Sequence, residues 1–144
     1  MSAWPLHYLD IRAFAYATED GARVTEAVRT VIGESAQIEE TASTGHGGAP
    51  ITILHARIEQ RAAVAEVITQ LAGVFDVAPT ALGARITADA ELYLSVDKQA
   101  ACTGTVRPGD GIAIRCKLEA YPATRANATA AARPLIDHLV SSST

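Results

Sequence analysis

Apolar and polar side chains alternate along several short stretches of this chain, and this period of two is the feature that most limits its fold. The first such stretch covers residues 6–17 and predicts a strand with one buried face and one exposed face. The side chains predicted to face the core are His7, Leu9, Ile11, Ala13 and Ala15. The side chains predicted to face outward are Tyr8, Asp10, Arg12, Phe14 and Tyr16. The chain therefore opens with a strand whose outer face carries both charges and aromatic rings.

Later stretches alternate in the same way or repeat with the helical period, and together they predict the order β-α-β-β-α-β-β-α. After the first strand, the predicted elements are a helix up to Gly33, a weak strand at 36–42, a strand at 51–59, a helix at 60–75, a short turn or helix at 78–86, strands at 91–97 and 112–121, and an alanine-rich helix ending near 140. Hairpins separated by helices are typical of an α+β two-layer sandwich. We expect a mainly antiparallel sheet with helices on one face and the other face at least partly open.

Local sequence signals predict where three of these elements begin or end. Thr18 is the predicted N-cap of the first helix, with two acidic residues in its first turn, and Gly33 is its predicted stop. Lys98 and Gln99 are predicted to form a tight turn or a one-turn helix after the fourth strand, because the next two alanines break the alternation. Thr124 is the predicted cap of the last helix, and Pro134 is expected to kink that helix or to start a new one.

Length and composition predict a single domain in the cytoplasm. The chain has 144 residues, of which 49% are hydrophobic, enough to bury about two thirds of the surface of the unfolded chain. Its uncharged runs are far shorter than the roughly 20 apolar residues of a membrane helix, and its N-terminus lacks the pattern of a secretory signal. Cys102 and Cys116 have no disulfide or zinc spacing, so both are predicted to be reduced, packed thiols. The Ser/Thr tail after about residue 140 is expected to fray.

The charge balance argues against a protein that holds nucleic acid by bulk attraction. The formal net charge is −4, whereas such domains usually have a clear basic excess. Any contact with RNA must therefore be local. The cations are ten arginines and two lysines, and arginine is the better residue for bidentate phosphate contacts and base stacking. A GC-rich genome would produce the same bias.

No catalytic or metal-binding motif stands out, so we predict a protein that is not an enzyme and has no cofactor or metal. The chain contains no GxSxG, Walker or HExxH pattern, and no GxGxxG between a strand and a helix. Its four histidines have no ligand spacing, and Glu39 and Glu40 are neighbours on a strand, which points them to opposite faces. The glycine-rich segment around His46 has two interpretations, a phosphate or small-ligand site and a mobile hairpin loop.

The outer face of the predicted sheet is the remaining candidate for a binding surface. Alternation collects eight side chains there: Tyr8, Arg12, Phe14, His55, Arg57, Tyr93, Arg115 and Lys117. Aromatic rings stack on unpaired bases while arginine and lysine bind phosphates, so this mixture suits RNA. The alternative is that acids neutralise the cations in cross-strand pairs and that the rings pack under a helix or a dimer partner. The acids concerned are Asp10, Glu59, Glu91, Asp97 and Glu119.

Three stretches of the chain resemble an archaeal family predicted to be RNA-binding exosome subunits. They are HYLDIR at 7–12 followed by ATED at 17–20, GHGGAPI at 45–51 followed by ARI at 56–58, and LYLSVDKQAA at 92–101. The resemblance extends to about Leu118 and implies a fold like that of the large-subunit ribosomal protein that binds the small ribosomal RNA. Gly47, Ala49 and Cys102 depart from the family pattern, which weakens base stacking by the loop and by the segment after Lys98.

Together these observations predict a non-catalytic RNA-binding protein, associated with archaeal RNA processing, the exosome or ribosome-related machinery. One alternative is a structural subunit that uses its sheet face to form a homodimer or to bind another protein, and a second is a small-ligand domain at the His46 loop. The candidate RNA contacts are Arg12, His46, Arg57, Lys98, Arg115 and Lys117. Of these, Arg57, Arg115 and Lys117 are expected to form one patch if their strands share a sheet.

Overall fold

Five antiparallel strands form one sheet in a computed structural model of the protein, which describes residues 4–34 and 36–141. The strands are β1 (Leu6–Tyr16), β2 (Glu39–Thr44), β3 (Pro50–Ile58), β4 (Glu91–Asp97) and β5 (Gly111–Leu118). They lie in the order β2-β3-β1-β5-β4, and each neighbouring pair is antiparallel. The helices are α1 (Gly21–Ile32), α2 (Arg61–Leu71), α3 (Pro79–Gly83), α4 (Lys98–Cys102) and α5 (Arg125–Leu139). The predicted α+β fold with a mainly antiparallel sheet is confirmed.

The inward side chains of the strands pack against the helices and form the hydrophobic core. Its strand residues include Leu9, Ile11, Leu54, Leu92, Ile112 and Ile114, and its helix residues include Val28, Val31, Val67, Ile68 and Leu135. Each fully buried aliphatic side chain of this kind contributes about 1.5–3 kcal/mol relative to leaving it in water. The helices therefore cover the inner face, and the charged and aromatic side chains lie on the outer face.

The first strand departs from the predicted alternation at its start. The prediction puts His7 on the core face, but His7 is exposed and Leu6 is buried. The register between β1 and β5 shifts between Leu6 and Tyr8. Such a bulge adds a residue to one strand and changes which side chains face inward. From Tyr8 onward the predicted faces of β1 are confirmed.

The beginning of α1 also differs from the prediction. Its N-cap is Asp20 and not Thr18, because the Asp20 carboxylate accepts a hydrogen bond from the Ala22 backbone N–H at 3.0 Å. Glu19, predicted in the first turn, instead accepts hydrogen bonds from the Tyr16 backbone N–H and from a lysine distant in sequence. A tertiary contact therefore holds Glu19 outside the helix.

The short helix after β4 and the cap of α5 agree with the predictions. Asp97 caps α4 by accepting a hydrogen bond from the Gln99 N–H at 3.0 Å, which confirms the predicted one-turn helix. Thr124 caps α5 by accepting one from the Asn127 N–H at 3.2 Å. Pro134 lies inside α5 and starts no new helix. The buried residues Leu135, Ile136 and Leu139 follow it and anchor the last turns in the core.

The remaining structural features concern β2, the two cysteines and the ends of the described chain. β2 begins at Glu39, later than predicted, and pairs with β3 as far as Thr44. Cys102 is half-buried and Cys116 is buried, both as free thiols. Within residues 4–34 and 36–141, no helix is long and apolar enough to cross a membrane, and no group of three or more acidic, histidine or cysteine side chains could hold a metal ion. Most of the tail expected to fray lies outside the described residues, and the single domain stays a prediction.

Candidate functional site

β1 lies at the centre of the sheet, so its outward side chains have neighbours on both sides. In the register of the sheet, Asp10 pairs with Arg57 of β3 and with Arg115 of β5. Arg12 pairs with His55 of β3 at the next outward position. Four of the six predicted contact residues thus share this outer face: Arg12, Arg57, Arg115 and Lys117. The strand order brings them together from three different strands.

Asp10 binds three side chains at the centre of the outer face. Its Oδ1 accepts hydrogen bonds from Arg57 Nε at 3.1 Å and from His55 Nε2, in the tautomer protonated there, at 3.0 Å. Its Oδ2 accepts hydrogen bonds from Arg57 Nη2 at 3.0 Å and from Arg115 Nη2 at 2.6 Å. Asp10 is only 6% exposed, although it lies on the outer face. The arginine side chains above it therefore enclose its carboxylate.

The surroundings of Asp10 keep it ionised. Burial by itself raises the pKa of this carboxyl, but hydrogen bonds from Arg57, Arg115 and His55 outweigh burial and lower the pKa to about 2. The same hydrogen bonds raise the pKa of both arginines. Asp10 is thus a permanent anion at neutral pH, and it fixes the positions of two permanent cations.

Arg57 and Arg115 keep part of their surface in contact with solvent. Their side chains are 45% and 38% exposed. The Arg57 guanidinium lies 4.1 Å from the centroid of the Tyr8 ring, within the range of a cation–π interaction. Arg115 Nε lies 3.2 Å from a carboxylate oxygen of Glu91. The cross-strand neutralisation considered above is therefore present at these two cations.

Arg12 and Lys117 are differently placed because neither is held by a carboxylate in the described part of the chain. Arg12 is exposed at the centre of the face, and within residues 4–34 and 36–141 it makes no ion pair. Lys117 Nζ donates a hydrogen bond to the Asp89 backbone carbonyl at 2.6 Å. These two side chains carry the cationic charge that the face does not compensate internally.

A depression of about 130 Å³ lies next to Arg12 on this face. The side chains around it are Asp10, Arg12, His55, Tyr93, Ala113 and Arg115. Tyr93 is 44% exposed, and two further aromatic rings, Phe14 and Tyr16, are 39% and 47% exposed along β1. The face thus combines cations, a concave floor and accessible rings.

The other two predicted contacts, Lys98 and His46, lie apart from this group. Lys98 is 8% exposed, and its Nζ donates hydrogen bonds to the Phe14 carbonyl and to Glu19 Oε1, each at 2.9 Å. Its ammonium group also lies 5.0 Å from the centroid of the Tyr16 ring. These contacts give Lys98 a packing role, because burial and pairing remove it from the open surface. His46 is exposed in a 3-10 turn between β2 and β3, at the far end of the sheet.

Asp10 is the organising residue that sequence reasoning placed only among the neutralising acids. The sequence did contain a signal for this role. Asp10 stands in the middle of the outward residues of its strand, and two other strands carry arginines at outward positions. This signal could be interpreted only with the strand order, because β1 could have been an edge strand. Ala113 was missed for the same reason, since a small residue matters only when its neighbours are known.

Comparisons with known proteins relate the chain to archaeal relatives. A family model described as RNA binding matches residues 8–118. RNA-binding protein PAB1135 of Pyrococcus abyssi is 27% identical over 129 residues, which cover 81% of this chain and 84% of that protein. Mth689, a DUF54 protein from Methanothermobacter thermautotrophicus, is 35% identical with a TM-score of 0.80, covering 91% of this chain and 98% of that chain. AF2318 of Archaeoglobus fulgidus, also DUF54, is 26% identical with a TM-score of 0.78, covering 90% and 99%.

The family match begins in β1 and ends with the last residue of β5, so it includes four strands completely and nearly all of the fifth. It therefore contains every outward side chain described above. The three sequence stretches predicted membership of an RNA-binding family, and the family match confirms that part of the prediction. The chain belongs to the RNA binding family.

Proposed function

We propose that this protein binds RNA through the outer face of its sheet, without catalysing a reaction on it. Membership of the RNA binding family supports RNA as the ligand. The Pyrococcus abyssi relative is itself named an RNA-binding protein. The observation that carries the proposal is one uncovered face on which exposed cations and exposed aromatic rings lie side by side. Rings and cations together are what unpaired nucleotides need.

Asp10 explains how an acidic chain can present cations to RNA. It holds Arg57 and Arg115 while using only some of the five N–H donors of each guanidinium. The remaining donors are available for phosphate oxygens, and a guanidinium that is already oriented loses less rotamer entropy when it binds. The attraction is therefore local and does not require a positive net charge.

The biological setting that we propose is archaeal RNA processing, either with the exosome or with ribosome-related machinery. The archaeal relatives and the sequence resemblance support this setting. Crosslinking in the native cell, followed by identification of bound RNA and co-purifying proteins, tests it. We expect RNA together with exosome or ribosomal proteins. Protein partners without crosslinked RNA would favour a structural subunit instead.

Arg12 and Lys117 are the cations to remove first, because their removal leaves no buried carboxylate without its partner. We expect Arg12→Gln combined with Lys117→Gln to weaken binding of a single-stranded RNA oligonucleotide. The plot of log affinity against log salt has a negative slope, and its magnitude should decrease by about 1.4, at about 0.7 for each lost phosphate contact. Fluorescence anisotropy at several salt concentrations measures both quantities.

Arg61→Gln combined with Arg133→Gln is the matched control, because both residues are exposed on helices. It removes the same charge from α2 and α5 and leaves the strands unchanged. Equal losses in the two pairs would assign the attraction to net charge. An unchanged affinity for the Arg12 and Lys117 pair, at unchanged melting temperature, would remove the outer face from the proposal.

One observation favours a second function, the binding of a protein partner at the far end of the same face. Phe14 and Tyr16 pack edge to face with ring centroids 6.3 Å apart, and both are exposed. Ile51 and Ile53 lie beside them in the register and are only partly buried. Sedimentation velocity on the wild type and on Tyr16→Ser tests this function. An assembly that dissociates in the variant would support it, and a monomer in both would count against a second copy.

A further inference from the structure

We infer that the depression over Ala113 holds one unpaired base of single-stranded RNA, with the Tyr93 ring as its stacking surface and Arg12 on the adjoining phosphate. The inference rests on the proposed function and narrows it from RNA in general to strands whose bases are free. Three features of the outer face support it: a small floor, an exposed ring and an uncompensated cation.

The floor exists because the outward side chains of β5 change abruptly in size. At position 113 the side chain is a methyl group, which lies between Arg12 of β1 and Ser95 of β4 in the register. At the next outward position β5 carries Arg115, opposite Tyr93 of β4. Long side chains around one alanine leave the depression of about 130 Å³.

The volume of the depression limits what can occupy it. Clefts that bury a drug-sized ligand measure about 300–1,000 Å³, so this depression is too small to bury such a ligand whole. A flat ring can enter it while the attached ribose and phosphate stay in solvent. The Tyr93 ring is 44% exposed at its border. Stacking on such a ring is tolerant of sequence because every base has a π-face.

The charges around the depression determine where the phosphate lies. Asp10 and Arg115 both border the depression, and Arg115 is already paired with Asp10 and Glu91. Arg12 borders it as well, and no carboxylate of residues 4–34 and 36–141 pairs with it. The phosphate of the bound nucleotide therefore lies on the Arg12 side of the depression. Paired bases in an RNA duplex are stacked inside the helix and cannot reach this floor, so the site selects single strands.

Filling the floor is the sharpest test, because it leaves all charges in place. Ala113→Leu projects a larger side chain into the depression, and Thr41→Leu makes a comparable apolar addition on the exposed outer face of β2. We expect Ala113→Leu and Tyr93→Leu each to weaken binding of a single-stranded RNA octamer by about tenfold, with an unchanged salt slope. Tyr93→Phe and Thr41→Leu should bind as the wild type does. A duplex of the same sequence should bind equally to Ala113→Leu and to the wild type.

The outcomes separate this inference from the proposed function. If the wild type binds neither the single strand nor the duplex, both are overturned. If the wild type binds and the Arg12 and Lys117 pair lowers the salt slope, while Ala113→Leu and Tyr93→Leu bind normally, only the base site is overturned. Melting curves accompany each variant, and Tyr93→Phe, which keeps the ring, distinguishes lost stacking from a folding defect.

Discussion

Asp10 and Lys98 are both buried and charged, yet the regions around them use charge in opposite ways. Asp10 holds Arg57 and Arg115, whose side chains remain 45% and 38% exposed. Lys98 pairs with Glu19, and the two side chains are 10% and 23% exposed. The first region thus presents charge to the solvent, and the second encloses it.

The difference shows that a buried charge contributes to binding only when its partners reach the surface. The ion pair of Lys98 and Glu19 joins segments that are 79 residues apart in sequence. It links the segment before α1 to the start of α4, and Lys98 is only 8% exposed, so its ammonium group lies away from the open surface. Asp10 leaves both of its arginine partners partly exposed. We therefore expect RNA binding to depend on the Asp10 region and not on the Lys98 region.

The largest effect on stability is expected from Asp10→Ala. Removing the carboxylate leaves Arg57 and Arg115 close together without the anion that binds both. We expect the free energy of unfolding to fall by about 3 kcal/mol, at the low end for breaking a buried ion pair, because the exposed arginines regain water. Urea denaturation measures this change. Glu26→Ala, on the exposed side of α1, is the control and should stay within about 0.5 kcal/mol of the wild type. A similar value for both variants would contradict an organising role for Asp10.

Acid should remove the contribution of Asp10 over a defined pH range. The folded-state pKa of Asp10 is about 2, below its ordinary value of 3.8, because hydrogen bonds from the arginines outweigh burial. A lowered folded-state pKa means that the stabilisation is complete above about pH 4 and is lost as the pH falls to about 2. We expect the wild type to lose about 2 kcal/mol of unfolding free energy from this group across that range.

Asp10→Asn is the matched variant for the acid titration, since it keeps the shape of the side chain but cannot ionise. Its stability should lack the Asp10 part of the pH dependence. Some pH dependence should remain, because a hydrogen bond from Lys98 lowers the pKa of Glu19. The stabilisation from Glu19 is therefore also lost as the pH falls. Identical slopes for wild type and variant would assign acid sensitivity to other carboxylates.

Lys98→Met tests the enclosed charge with a smaller expected effect. The variant keeps the apolar stem but leaves the Phe14 carbonyl and Glu19 without their donor. We expect a loss of about 1–2 kcal/mol in unfolding free energy and no change in the salt dependence of RNA binding. Lys117→Met should behave conversely, with little loss of stability and a lower salt slope. A lower slope for Lys98→Met would break the comparison between the two regions.

The smallest effect on stability is expected from Arg12→Gln. Arg12 is exposed and makes no ion pair in the described part of the chain, so the unfolding free energy should change by less than about 0.5 kcal/mol. The magnitude of the slope of log RNA affinity against log salt should nevertheless decrease by about 0.7. Loss of stability without a change of slope would mean that Arg12 supports the fold and contacts no phosphate.

Sequence reasoning succeeded where the controlling interactions are local. The outward positions of Tyr93 and Arg115 follow from alternation, and the helix beginning at Lys98 follows from its interruption. It failed at His7, where a bulge shifts the register, and at Thr18, where the cap moves to Asp20. The bulge belongs to the pairing of β1 with the distant β5, which a local pattern does not contain. The Asp20 cap is a local hydrogen bond, but the distant Lys98 helps to hold Glu19 outside the helix.

The sequence by itself determined which face of the sheet most outward residues occupy, because successive side chains of a strand point to opposite sides whatever the strand pairs with. Only the tertiary structure decided what those residues meet. β1 lies between β3 and β5, so Asp10 binds arginines that are 47 and 105 residues away. The same packing buries Lys98 and leaves Lys117 accessible, because burial depends on which elements fold over a side chain and not on its own type.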